Sequence, residues 1–167
     1  MAFEQEVYEQ IASLEIFDGK SVSVTEDSVL FEVTNISAME KFRAIGQAAF
    51  VSMSDEETVD YLDLTLILAK NVEQENVGKI IPKLYEVNLA YKQGVFFSDG
   101  GNNLCFETSF PVMNGKVDDA TALFLSQYFA ITEFLDAVYP DFLRVIVKPD
   151  ESDFKEYLIA MAGKMGE

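Results

Sequence analysis

Leucine stands at every second position of residues 62–68, and this alternation limits what the chain can fold into more than any other feature. The residues between the leucines are Asp63, Thr65 and Ile67. Successive side chains of a strand point to opposite faces, so the pattern predicts a strand over residues 58–69 with one buried face. A strand of this kind is typical of an antiparallel sheet that is covered on one side only.

Helical and strand periodicities alternate along the rest of the chain. The spacing of apolar residues predicts helices over 3–17, 75–92, 117–139 and 152–164, and further strands over 29–34, 42–53, 95–97 and 104–110. Asp18-Gly19 and Pro140 end the first and third helices, whereas Pro82 either begins or kinks the second. The order α-β-β-β-α-β-β-α-α predicts an α+β fold, with an antiparallel five-stranded sheet and helices packed on one face.

The length of 167 residues suits one domain with an appended helix. Lys148-Pro149-Asp150 is the plausible joint in the chain. We therefore expect a domain over residues 1–147 and a C-terminal helical extension over 148–167, packed on the same domain.

The charge balance restricts the classes of partner. The chain has 29 acidic and 12 basic residues and a formal net charge of −17. Such a surface repels phosphate backbones and anionic lipid, so we expect neither a nucleic-acid nor a membrane partner. A protein partner that contributes a basic or amphipathic segment fits this charge. Residues 1–6 lack the features of a signal peptide, and the single cysteine precludes an intramolecular disulfide, so the expected location is cytoplasmic.

Residues that commonly carry catalysis are scarce in this sequence. The chain has no histidine, which excludes Ser-His-Asp and Cys-His catalysis and the commonest neutral metal ligand. Cys105 has Glu107 on the same strand face, which favours an inert thiol. The carboxylates at 55–57, 118–119 and 150–153 fall in predicted turns or helix starts, where acidic residues are common. We expect no catalytic residue, no metal and no cofactor.

Two polar motifs have structural explanations. Gly100-Gly101 falls in a predicted hairpin turn rather than between a strand and a helix, so it does not form a phosphate-binding loop. Asn88 is expected to be a buried polar residue that satisfies backbone groups near Gly94.

The predicted helix over 117–139 has apolar residues on two sides. Its main apolar face, expected on the sheet, holds Ala120, Leu123, Phe124, Ile131, Phe134, Leu135 and Val138. On its polar side, marked by Asp118, Ser126, Thr132, Glu133 and Asp136, three apolar residues intervene, namely Ala122, Leu125 and Phe129. A helix that is apolar on two sides is usually covered on two sides. Either the C-terminal helix covers these residues within one chain, or another chain does.

The outward face of the sheet is a second candidate contact surface. Tyr61, Ile67, Val51 and Met53 are predicted to lie on it. An exposed apolar cluster marks a partner site, whereas scattered apolar residues are ordinary surface. Both interpretations are open from the sequence.

The segment 87–97, Val-Asn-Leu-Ala-Tyr-Lys-Gln-Gly-Val-Phe-Phe, is followed by Leu-Cys-Phe-Glu at 104–107 and by a helix from Val117. This order resembles the type III secretion chaperone-like fold, particularly YbjN-type domains. The resemblance covers residues 3–139 in element order and rests mainly on 84–112 in residue identity. Tyr91 stands where the family often has a second asparagine. The resemblance implies a homodimer that binds segments of other proteins and supplies no catalytic residues.

These observations favour a non-catalytic, protein-binding module, chaperone-like or regulatory, that acts as a homodimer. The alternative is a small-molecule-binding domain or a carboxylate- or metal-dependent enzyme domain, which requires a deep pocket with convergent polar groups. A third hypothesis is a subunit that is stable only within a larger assembly.

Overall fold

A computed structural model describes residues 2–33, 44–51, 59–69, 72, 74–113 and 116–146. The elements in chain order are α1 (Phe3–Ala12), a 3-10 helix (Glu15–Phe17), β1 (Val22–Val24), β2 (Val29–Glu32), β3 (Ile45–Val51), β4 (Val59–Ala69), α2 (Gln74–Ala90), β5 (Val95–Ser98), β6 (Leu104–Met113) and α3 (Val117–Ile146). The predicted α+β class and the antiparallel sheet are confirmed.

In the described part of the chain the sheet has six strands, so the predicted number of five is wrong. Its spatial order is β1-β2-β3-β4-β6-β5, and every neighbouring pair is antiparallel. The described elements follow the order α-β-β-β-β-α-β-β-α, apart from the 3-10 helix, which also corrects the predicted helix order. The long strands β4 and β6 pair in the middle of the sheet, and β1 and β5 form its edges.

The additional strand is β1, which has only three residues. Three residues are too few to establish an alternating pattern, so β1 could not be predicted from periodicity. A tight turn joins β1 to β2, because the Thr25 hydroxyl accepts hydrogen bonds from the backbone N–H groups of Asp27 and Ser28 at 3.3 and 3.1 Å. This turn folds Val22–Val24 back against β2.

The buried face of the sheet is the one predicted from the leucine pattern. Leu62, Leu64, Leu66 and Leu68 have no exposed surface. Cross-strand neighbours on the same face include Ala48 opposite Leu64, and both Gly46 and Phe106 opposite Leu66. Alternation along β4 therefore sets one face of the sheet towards the core.

The three helices pack on that buried face. Aromatic rings make the contacts: Phe3 of α1 with Phe50 of β3, Phe124 and Tyr128 of α3 with Phe31 of β2, and Phe134 of α3 with Phe96 and Phe106. Val77 and Ile80 of α2 lie beside Leu104 of β6. The described part of the chain thus forms two layers, as predicted, with helices on one face of the sheet.

The first helix is shorter than its predicted extent of 3–17. It ends at Ala12, and the chain continues through Leu14 in an extended conformation to the short 3-10 helix. Gly19 then turns the chain at a positive φ of 71°, a conformation that glycine adopts without strain. The apolar spacing at Leu14 resembles a further helical turn, although the N–H groups of Ser13 and Leu14 already bond three residues back, to the carbonyls of Gln10 and Ile11.

The second helix begins at Gln74 and contains Pro82 in its interior. Of the two alternatives for Pro82, a start at the first helical turn is therefore wrong. A proline here removes one backbone hydrogen bond from the helix. Val77, Ile80, Leu84 and Val87 are buried on both sides of Pro82, which holds the two flanking turns in place.

The last described helix, α3, passes Pro140 and ends at Ile146, so the predicted end at 139 is wrong. Its 30 residues span about 45 Å. The proline penalty is local, and a long helix with a buried face can absorb one missing hydrogen bond. The predicted apolar face is confirmed, because Ala120, Phe124, Ile131, Leu135 and Val138 are buried, and Leu123 and Phe134 are partly buried.

One residue of the predicted polar side of this helix lies in the core. Thr132 is only 2% exposed, and its hydroxyl donates to the Phe129 carbonyl at 3.1 Å. This local bond satisfies the hydroxyl without solvent, so threonine is tolerated inside. The predicted joint at 148–150, the helix over 152–164 and the extension over 148–167 lie outside the described residues.

Within the part of the chain that the structure describes, no helix is both long and apolar enough to cross a membrane.

Candidate interaction surfaces

One face of the sheet carries no helix among the described residues. We call it the open face and define it by the outward-pointing side chains of β2 to β6: Leu30, Glu32, Ile45, Gln47, Ala49, Val51, Tyr61, Asp63, Thr65, Ile67, Val95, Phe97, Cys105, Glu107, Ser109 and Pro111. Of the four residues predicted on this face, Val51, Tyr61 and Ile67 lie on it. Met53 lies outside the described residues.

Strand register gathers apolar side chains of the open face into rows. Ile45 lies opposite Ile67, Ile67 opposite Cys105, and Cys105 opposite Phe97, so one row crosses four strands. Cross-strand neighbours of this kind are close enough for their side chains to touch.

A second row lies towards the other end of β4. It contains Val51, Tyr61 and Pro111, and Val51 and Tyr61 are each 37% exposed. The two rows are separated by the more polar positions of the open face, including Thr65 and Asp63.

The charge of the open face has one sign on its strands. Asp63 and Glu107 point outward, Glu32 on the same face is buried and accepts from the Ser21 N–H, and the described strands contain no lysine or arginine. Asp63 also accepts a hydrogen bond from the Ser109 hydroxyl of the adjacent strand. The open face therefore combines apolar rows with carboxylates.

Cys105 lies within this face but is not available for chemistry. It is 2% exposed, and burial, followed by the negative charges of Asp99 and Glu107, raises its pKa to about 12. A thiol with this pKa is almost wholly protonated at neutral pH and is a poor nucleophile. The structure agrees with the interpretation of Cys105 as structural.

The hairpin turn that follows β5 is ordered by a carboxylate. Asp99 accepts hydrogen bonds from the backbone N–H groups of Gly101 and Asn103, at 2.9 and 3.0 Å, and from the Asn103 side chain at 2.9 Å. The Asn103 side chain is the main reason that the pKa of Asp99 lies below its ordinary value. Gly100 and Gly101 belong to this turn, as predicted.

Asn88 satisfies backbone groups as expected, although it is half-buried rather than buried. Its side-chain amide donates to the Phe96 carbonyl and accepts from the Phe96 N–H, both at 2.8 Å. Phe96 lies on β5, the edge strand, so the Asn88 amide occupies the position that a neighbouring strand would otherwise take. The α2 helix thereby closes part of that edge.

The three residues predicted on the second side of the last helix lie on α3, away from the sheet. Ala122 is exposed, Leu125 is half-buried and Phe129 is 44% exposed. The C-terminal segment that was one candidate cover for them lies outside the described residues. Because α3 packs on the buried face of the sheet, these residues and the open face lie on opposite sides of the two layers, and the structure does not bring the two predicted sets together.

A third surface was missed from the sequence. Ile81, Tyr85 and Leu89 of α2 are 54%, 69% and 69% exposed, and their spacing of four residues places them on one side of the helix. Together with Gly78 and Pro82 they form a stripe that we call the α2 seam. These are the largest exposed fractions among the large apolar side chains of the described residues, apart from Val95, which equals Ile81.

A signal for the α2 seam was present in the sequence. The positions Val77, Ile80, Leu84 and Val87 suffice for a buried face, and all four are buried. Ile81, Tyr85 and Leu89 form a second stripe at the same period. Ile81 and Tyr85 lie next to Ile80 and Leu84 in the sequence, so spacing alone does not separate this second stripe from the buried one.

The predicted carboxylates that the structure describes have structural partners. Asp118 accepts from the Gln10 side chain at 2.8 Å, which joins α3 to α1, and Asp119 lies 3.9 Å from Lys116 in the first turn. The groups at 55–57 and 150–153 lie outside the described residues. Within residues that the structure describes, no three carboxylate or thiol side chains converge in a way that would hold a metal ion.

A cleft of about 360 Å³ lies along the edge of the sheet, between Lys92, Val95, Phe97, Glu107 and Ser109. It opens to solvent beside the open face. Its lining contains one positively charged side chain, Lys92, and one negatively charged side chain, Glu107.

No protein-family model matches this chain, and no curated protein matches it in sequence. The resemblance to YbjN-type domains therefore stays a prediction.

Proposed function

We propose that this chain is a non-catalytic protein-binding module, chaperone-like or regulatory, that acts as a homodimer and binds a basic or amphipathic segment of another protein. The open face of the sheet is the observation that carries the proposal. Its apolar row from Ile45 to Phe97 crosses four strands, with Ile45, Ile67 and Phe97 half-buried around the buried Cys105. The charged side chains on its strands are all carboxylates.

Apolar and acidic groups on one surface suit one kind of ligand. Burial of an apolar side chain contributes about 1.5–3 kcal/mol, so a few contacts along the rows are enough to hold an extended segment. Lysine or arginine beside those contacts would face Asp63 and Glu107, and the net charge of −17 would attract the segment at long range. The acidic surface favours segments with basic residues, and the apolar rows contribute the affinity.

The test is a binding titration with labelled peptides of alternating leucine and lysine, measured by fluorescence anisotropy. Peptides of alternating leucine and glutamate, and of alternating serine and lysine, are the controls. We expect saturable binding of the leucine–lysine peptide, with an affinity that falls as salt is added because exposed charges are screened.

Substitution Ile67→Asp separates docking from plain charge attraction. The change adds one negative charge and removes an apolar side chain from the row. If the attraction is only electrostatic, the affinity for the leucine–lysine peptide should stay the same or rise. If the peptide docks on the open face, the affinity should fall. Equal binding of the serine–lysine peptide, or no loss with Ile67→Asp, would contradict the proposal.

A further inference from the structure

The α2 seam is not explained by the open face, because α2 lies in the helical layer on the other side of the sheet. Tyr85 and Leu89 are each 69% exposed, while their helix already buries Val77, Ile80, Leu84 and Val87. A stripe of this size that no described residue covers marks a contact with another polypeptide.

The charges of α2 indicate which polypeptide. The helix contains Glu75, Lys79, Lys83 and Glu86, so its formal charge is zero, in a chain of −17. Two copies of so acidic a chain repel each other over most of their surfaces, and a locally neutral face offers the least repulsion. A partner selected for basic charge would gain little from this helix.

The order of residues along the seam suits antiparallel self-pairing. We propose that a second copy of this chain covers the α2 seam, with the two α2 helices antiparallel about a two-fold axis between Pro82 and Tyr85. This arrangement places Leu89 against Gly78 of the partner subunit, where the missing side chain leaves room. It also places Tyr85 beside Pro82 of the partner subunit.

The same two-fold axis aligns charges of opposite sign. At 100° per residue, the four charged residues of α2 fall on one flank of the seam. In an isologous antiparallel pair, that flank meets the same flank of the other copy. Lys79 then lies beside Glu86 of the partner subunit, and the exchange occurs twice. Within one chain, Lys79 pairs with Glu75 at 3.3 Å and Lys83 pairs with Glu86 at 3.5 Å.

This inference rests on the proposed function for its homodimer and names the surface that forms it. The test is sedimentation velocity over micromolar concentrations on the full chain. The wild type should be a dimer, and Leu89→Asp should raise the dissociation constant at least about tenfold, because a charge would enter the centre of the contact. Leu89 is mostly exposed, so circular dichroism should be unchanged. The control Phe129→Asp, at an exposed position of α3, should leave the dimer intact.

Exchanging the charges at two positions of α2 distinguishes a homodimer from a different partner bound to the α2 seam. Lys79→Glu and Glu86→Lys should each weaken the dimer, and the double variant should restore it. In a homodimer the double variant exchanges the two charges in both subunits, so each pair across the interface is again of opposite sign. Three results would contradict the assignment of the dimer interface to the α2 seam: a dimer unaffected by Leu89→Asp, a dimer broken by Phe129→Asp, or a double variant that does not dimerise again. None of them would affect the proposal that the chain binds peptides. A wild type that is monomeric throughout would overturn both the seam and the homodimer. Peptide titration of the Leu89→Asp variant decides the protein-binding function independently.

Discussion

Asn88 shows how one side chain can take the place of a strand. It donates to and accepts from Phe96 on the edge strand β5. We expect Asn88→Ala to lower the free energy of unfolding by about 1–3 kcal/mol, because the Phe96 N–H and carbonyl lose a partner in a partly buried place. Urea denaturation measures this loss. Ser126→Ala, at an exposed helical position of α3, is the control and should change stability little.

Cys105 links stability to alkaline pH. Burial, Asp99 and Glu107 raise its pKa from 9.0 to about 12 in the folded chain. Between these values the unfolded chain loses the thiol proton while the folded chain keeps it, so folding stability falls as pH rises from about 9 towards 12. We expect this decline to be smaller in Cys105→Ala, as measured by urea denaturation across that pH range. An identical pH profile in both proteins would show that the thiol is not held protonated.

The Tyr8 side chain connects the helix α1 to the sheet. Its hydroxyl accepts from the Phe50 N–H at 2.8 Å and donates to the Asp27 carbonyl at 3.0 Å. Phe50 extends beyond the end of β2, so its N–H would otherwise lack a strand partner on that side. Burial is the main reason that the pKa of Tyr8 lies above its ordinary value.

We expect Tyr8→Phe to destabilise the fold by about 1–3 kcal/mol, because it leaves a backbone donor and a backbone acceptor without this hydroxyl. Thermal unfolding followed by circular dichroism measures the effect. Tyr91→Phe, at a tyrosine that is 44% exposed just after α2, removes the same atom without that consequence and is the control. Equal shifts in both variants would argue against the role of the Tyr8 hydroxyl.

The close packing of α3 on the sheet depends on a missing side chain in β3. A Cβ atom at Gly46 would overlap the ring of Phe31, which itself contacts Phe124 and Tyr128 of α3. Gly46→Ala should therefore cost about 1–3 kcal/mol through overpacking. Gly100→Ala, where a Cβ would meet no atom within 4 Å, should be close to neutral. Chemical denaturation of the two variants compares them directly.

At this scale the sequence was informative where periodicity was long. The alternation in β4 and the apolar face of α3 predicted the buried surfaces, because many residues repeated the same pattern. Short or ambiguous signals failed: three residues could not reveal β1, and Leu14 imitated a helical turn. Pro140 misled for a different reason, because a proline penalty is local and a long helix can tolerate it.

The whole molecule places its candidate surfaces on different sides. The open face could be anticipated from Tyr61, Ile67 and Val51, since alternation sends them away from the core. The α2 seam could not be separated from the buried stripe by spacing alone, because both have helical period. Only the packing of α2 against the sheet shows which of the two stripes is buried.

A methyl NMR titration tests the central claim most directly, because isoleucine occurs on each relevant surface. Ile45 and Ile67 lie on the open face, Ile81 lies in the α2 seam, and Ile80 and Ile131 are buried. On addition of the leucine–lysine peptide, we predict concentration-dependent shifts of the Ile45 and Ile67 methyl signals, with Ile80 and Ile131 unchanged. Shifts confined to Ile81, or no shift at Ile45 and Ile67 at saturating peptide, would contradict the assignment of the open face as the partner-binding surface.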